Sequence, residues 1–129
     1  MAMEEISQLI EDCNVKREFL TNFRDKIHGM QRQLLQFAAK SLPKEDLTDL
    51  ERFNNRFHIQ LINIHDVRDE LKVHQQHLKS ESKISDSLSA EALGQHKELT
   101  DQFHTLESLL HDLDQDFNEF MAKPVEIIS

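Results

Sequence analysis

Apolar residues recur along residues 6–37 in alternating steps of three and four: Ile6, Leu9, Cys13, Lys16, Leu20, Phe23, Ile27, Met30, Leu34 and Phe37, with Lys16 the one break. Successive members of such a series fall on the same side of an α-helix and form a heptad seam. The spacing predicts a first helix over residues 3–40. Gly29 lies inside it and costs about 1 kcal/mol relative to alanine, but the register runs straight through.

Punctuation follows at Ser41-Leu42-Pro43-Lys44-Glu45-Asp46. Proline is tolerated in a first helical turn, Ser41 can cap, and the two acids suit the positive end of a helix dipole. The second helix, over 44–79, carries Leu47, Leu50, Phe57, Leu61, Ile64, Leu71 and Leu78 on one stripe, interrupted by Asn54, Arg68 and Gln75. Phe53 and Val67 widen the stripe, while Ile59, Ile62 and Val73 lie off it. A helix that is apolar on more than one side needs more than one neighbour.

Residues 80–89 (SESKISDSLS) hold five serines and read as a loop ending in a cap near Ser87 or Ser89. The third helix, over 88–122, repeats the three-four stepping through Ala92, His96, Leu99, Phe103, Leu106, Leu110, Leu113, Phe117 and Phe120. Gly94 comes early enough for residues 84–93 to form a short helix of their own instead. Pro124 ends the pattern, and the apolar tail Val125–Ser129 either folds back onto the bundle end or docks elsewhere.

Short connections make sequential helices antiparallel neighbours. The expected fold is therefore all-α: one elongated, antiparallel three-helix bundle, up-down-up, with coiled-coil-like heptad packing over residues 1–129. Charge agrees with that order. Residues 16–40 hold six bases against two acids, and residues 91–123 hold eight acids against two lysines, so helices one and three attract along their flanks.

Composition narrows the functional classes. The formal net charge of −9 argues against nucleic acid as a partner, since phosphate contacts need a basic footprint. Two glycines and two prolines leave little turn chemistry for an all-β chain, and one cysteine cannot form an internal disulfide. The acidic, helical start is unlike a secretory leader, and a spanning helix needs about 20 consecutive apolar residues that this chain lacks. The expected setting is cytoplasmic.

Eight histidines are the one compositional oddity. Antiparallel pairing about a turn near residue 84 or 85 puts His58 level with His111, His65 with His104, and His74 with His96. His28 joins the first of these layers. Imidazole is the commonest transition-metal ligand, and helical bundles build metal sites from facing helices. Against this, His28, His104 and His111 fall at solvent-facing heptad positions, and His58 and His65 only at a flank. His96, on the seam, reads as a hydrogen-bonded core or bundle-end residue.

Other chemistry is thin. Cys13 lies on the seam and reads as a buried structural thiol. Asp112, Asp114 and Asp116 spread around the helix axis as a solvated acidic face. No glycine-rich phosphate loop, Gly-x-Ser-x-Gly or His-Glu-x-x-His sequence occurs. His77-Leu78-Lys79-Ser80 departs from the His-x-x-Lys-Gly pattern of histidine phosphotransfer domains in both spacing and the missing glycine. The sequence thus points to a non-catalytic interaction or scaffolding module without a cofactor, self-associating through Ile59, Ile62 and Val73 of helix two. The alternative is a metal-binding bundle lined by His28, His58, His65, His104 and His111. Phosphotransfer through an exposed histidine comes third.

Overall fold

The computed structural model describes residues 2–39, 44–84 and 88–122, with side chains described from Glu5 onward. Three helices follow one another: α1 (Ala2–Ala38), α2 (Lys44–Ile84) and α3 (Ala90–Ala122). At 1.5 Å per residue they are about 50–60 Å long, which makes the bundle elongated.

Cross-helix contacts fix the topology. The start of α1 meets the end of α2, where the Gln75 amide donates to the Ile10 carbonyl. The end of α1 meets the start of α2, where Leu34 and Leu50 line one groove. α2 and α3 are likewise antiparallel, since Phe57 packs on Phe117 while His74 meets His96. α1 and α3 run parallel: Cys13 lies beside His96, Lys26 beside Asp114, and Phe37 against Phe120. The up-down-up bundle is the result.

The heptad seams are the core. On α1 every seam member is buried except the half-buried Leu9, and Lys16 is buried with the rest. On α3 all are buried except His96 and Leu99, which are half-buried. On α2 the core takes Leu50, Phe53, Phe57, Ile64, Leu71 and Leu78, and also Gln75, while Asn54 is exposed. The filling is not uniform along the axis. Phe37, Phe53, Phe57, Phe117 and Phe120 pack at one end, with ring centroids 5.1–6.3 Å apart. The buried polar side chains Lys16, His74 and Gln75 gather toward the other.

Two boundaries differ from the sequence reading. α2 continues to Ile84 instead of giving way to a loop at residue 80. Ser82 satisfies its hydroxyl by donating to the Lys79 carbonyl at 2.7 Å, and isolated serines are only mildly unfavourable in a helix that packing already supports. Ile84 closes α2 and residues 90–93 belong to α3, which begins at Ala90 and runs unbroken through Gly94. Ser89 is the cap: its hydroxyl oxygen accepts from the Ala92 amide at 3.0 Å and donates to Glu81 at 2.8 Å, tying the end of α2 to the start of α3. Ser41, Pro43, Ser87 and the Val125–Ser129 tail lie outside the described residues.

Neither glycine is required by its surroundings. A Cβ on Gly29 would meet only the Arg32 guanidinium at 3.7 Å, and one on Gly94 nothing within 4 Å. Gly29→Ala and Gly94→Ala should each raise stability by up to about 1 kcal/mol, read as a higher urea midpoint at unchanged slope.

Candidate functional site

The polar end of the core is built where the seams break. Lys16 on α1 and His96 on α3 are the single polar members of their stripes, Gln75 is one of three on α2 and the one that is buried, and the packing brings these three side chains to one level. Each finds partners there. Gln75 accepts from the Arg17 guanidinium at 2.8 Å and donates to the Ile10 carbonyl at 3.0 Å and to the Asn14 side chain. Lys16, almost wholly enclosed, pairs with Asp12 one turn earlier and lies 5.7 Å from the centroid of the Phe103 ring. Buried ammonium and amide groups without such partners would be costly.

Asp12 links this network to the histidines. Its Oδ2 lies 2.9 Å from His96 Nε2. A carboxylate only accepts, so Nε2 carries the proton and a neutral His96 presents a lone pair at Nδ1. His74 Nε2 lies 3.1 Å from that Nδ1 and donates to it, which leaves the lone pair of His74 on its own Nδ1. That atom is buried, and the Gln95 side chain is the hydrogen-bonding group beside His74. Cys13 Sγ completes the group, 4.0 Å from His96 Nδ1. Thus Cys13, His74 and His96 bring three donor atoms from three helices within 4.8 Å of one another, the one such group of histidine, cysteine or acid side chains among the described residues.

Protonation follows the surroundings. Burial pushes the Cys13 thiol up to about 11, helped by the negative Asp12 beside it, so it is protonated near neutrality. Burial lowers the pKa of His74, and the neighbouring His96 and His77 lower it further, so His74 is held neutral. Burial alone would raise Asp12. Hydrogen bonds and charge from Lys16 and His96 together outweigh it and hold the carboxyl below its usual range.

The five histidines of the sequence-derived metal reading lie elsewhere. His28 is exposed and bonds Gln31 at 3.0 Å, and His58 is exposed on α2. His65 is exposed beside Arg17, Arg68 and Lys72. His104 is exposed 3.3 Å from Glu107, and His111 lays its ring against Phe19 and Phe23. None belongs to the three-donor group. His77 is exposed in the groove between α2 and α3. Asp114 and Asp116 are engaged with Lys26 at 2.7 Å and Arg56 at 3.0 Å. Lys26–Asp114 is one of the α1–α3 attractions expected from the charge distribution.

Ile59, Ile62 and Val73 form a second feature. They are 54%, 61% and 43% exposed outside the core of α2, Val73 at the edge of the α2–α3 groove. Protein-family models, curated proteins and solved structures yield no match to this chain. No helix among the described residues is long and apolar enough to cross a membrane.

Proposed function

We propose that the chain is a non-catalytic helical interaction module that pairs with a second copy of itself through the outward face of α2. The observation that carries this reading is the order of residues on that face. Stepping by three and four, the stripe reads Thr48, Arg52, Asn55, Ile59, Ile62, Asp66, Asp69 and Val73, all of them exposed. It is self-complementary about a two-fold axis between residues 60 and 61. In an antiparallel pair Ile59 meets Ile62 of the other copy, Asn55 meets Asp66, Arg52 meets Asp69 and Thr48 meets Val73. An isologous contact requires just such a palindrome, because each position must suit its own mirror position.

Chemistry runs the right way along it. The apolar pair sits at the centre, where desolvation favours association, and the opposite charges sit further out, where they set register. Arg52 is free to turn outward: its guanidinium lies 3.9 Å from Asp49, a loose contact for an exposed pair. The stripe is about 38 Å long at 1.5 Å per residue, so the contact is a helix pair of modest area. A cytoplasmic setting fits this reading, since Cys13 is unpaired and enclosed.

Light scattering on a concentration series tests the reading. The wild-type chain should show a monomer–dimer equilibrium, and Ile59→Lys should shift it to monomer by more than about a hundredfold, because two lysines would be buried at the centre. A wild-type monomer at all concentrations, or a dimer indifferent to Ile59→Lys, would overturn it.

A further inference from the structure

The interior group invites a different question, independent of dimer formation. We infer that Cys13, His74 and His96 form a binding site for a zinc-type divalent transition-metal ion, with Cys13 Sγ, His74 Nε2 and His96 Nδ1 as ligands and Asp12 as the partner that orients His96. Tetrahedral coordination with metal–sulfur bonds of about 2.3 Å and metal–nitrogen bonds of about 2.0–2.1 Å sets ligand atoms about 3.3–3.6 Å apart. The observed 3.1 Å between the two nitrogens brackets that value from below, and the 4.0 Å from sulfur to His96 Nδ1 from above. The third edge is at most 4.8 Å. Side-chain shifts of no more than about 1.5 Å close the set.

Three features beyond distance favour a ligand. A histidine that ligates through one nitrogen usually donates its other N–H to a carboxylate, and His96 Nε2 donates to Asp12 at 2.9 Å. An ion taking His74 through Nε2 leaves the ring proton on Nδ1, and the Gln95 side chain, which hydrogen-bonds His74 and lines the same groove, offers an amide oxygen to accept it. Finally, thiolate with two imidazoles is the donor set of borderline ions such as Zn²⁺ and Co²⁺, and three protein ligands leave a fourth position for water. A groove lined by Asp12, Lys16, His96 and Thr100 reaches the His96 side of the group.

Binding is a simple exchange. The ion forms bonds to one sulfur and two nitrogens, the thiol S–H bond breaks, and its one proton leaves to solvent. The His74–His96 hydrogen bond is given up for two metal–nitrogen bonds.

The experiment uses the untagged full chain, stripped with a chelator and titrated with Co²⁺. The expected result is one ion per chain, with a thiolate-to-cobalt charge-transfer band in the near ultraviolet and the visible bands of a tetrahedral ion, both bleached by Zn²⁺. Cys13→Ala should lose the charge-transfer band while far-ultraviolet circular dichroism stays helical. Asp12→Asn should weaken binding about tenfold to a hundredfold. The control pair His104→Gln and His111→Gln should change nothing. Absence of the charge-transfer band in the wild-type protein overturns the site without any variant. So does Co²⁺ binding of equal strength in Cys13→Ala.

Discussion

Phe57→Ala is expected to lower the stability of the bundle by about 3–5 kcal/mol, the largest single loss in the chain. Phe57 is fully buried, and its ring meets Phe117 edge-on at 5.4 Å and Phe53 at 6.3 Å. Truncation removes the transfer free energy of the ring and leaves a cavity that long helices, held over many turns on either side, cannot collapse to fill. It also removes the edge-to-face contact with Phe117, worth about 0.5–1.5 kcal/mol beyond buried area. Leu35→Ala is the matched control. Leu35 is 72% exposed, so its loss should stay within about 0.5 kcal/mol. Urea denaturation of both variants decides the matter, and a loss under about 1 kcal/mol for Phe57→Ala would mean that the phenylalanine end is not a packed core.

Asp12→Ala is expected to cost about 2–3 kcal/mol, and adding Lys16→Met to recover most of that loss. The Lys16 side chain is 8% exposed and Asp12 is its carboxylate partner, so removing Asp12 leaves an enclosed ammonium without its counter-charge. The expected cost lies below the 3–5 kcal/mol typical of a fully buried pair because Asp12 is itself 40% exposed and water partly screens the gap. Methionine removes the stranded charge and keeps the length of the side chain among its apolar neighbours. A residual loss of about 1 kcal/mol should remain, because His96 also loses its acceptor. Additive losses in the double variant would show that the pair does not act as a unit.

Much of the fold was legible because every helix writes its buried face in one period. The seams of α1 and α3 could be read residue by residue, including the intrusion of Lys16. α2 was harder, since its apolar residues lie on two sides and period alone does not say which side faces the partners. Phe53 is buried against Phe117 and Phe120 of the third helix, whereas Leu47 and Asn54 on the predicted stripe are exposed. The helix end at Ile84 was missed because serine content reads as loop, whereas packing and one side-chain bond to Lys79 were enough to continue the helix.

The interior site was half legible. Levelling of residues across the turn places His74 beside His96, but level along the axis says nothing of direction around it. His58 and His111 share a level too, yet both are exposed, with His111 set against α1. The missing signal was the coincidence of seam breaks. Lys16 and His96 are each the one polar residue of their stripe, Gln75 is one of three breaks on α2, and a break on every helix at one level marks a polar layer that must satisfy itself internally. Cys13, one turn from Lys16 on the same seam, then falls within that layer.

The palindromic stripe on α2 carries the functional account, and a charge-reversal cycle read by sedimentation velocity tests it most directly. Arg52→Glu would set glutamate against Asp69 at both ends of the pair, and Asp69→Lys would set lysine against Arg52. With each like-charge contact costing about 1 kcal/mol and occurring twice, either variant should weaken the dimer roughly thirtyfold. The combined variant restores opposite charges at both ends and should return to the wild-type dissociation constant. Equal weakening in the double variant, or a dimer unmoved by all three changes, would contradict antiparallel pairing through this face.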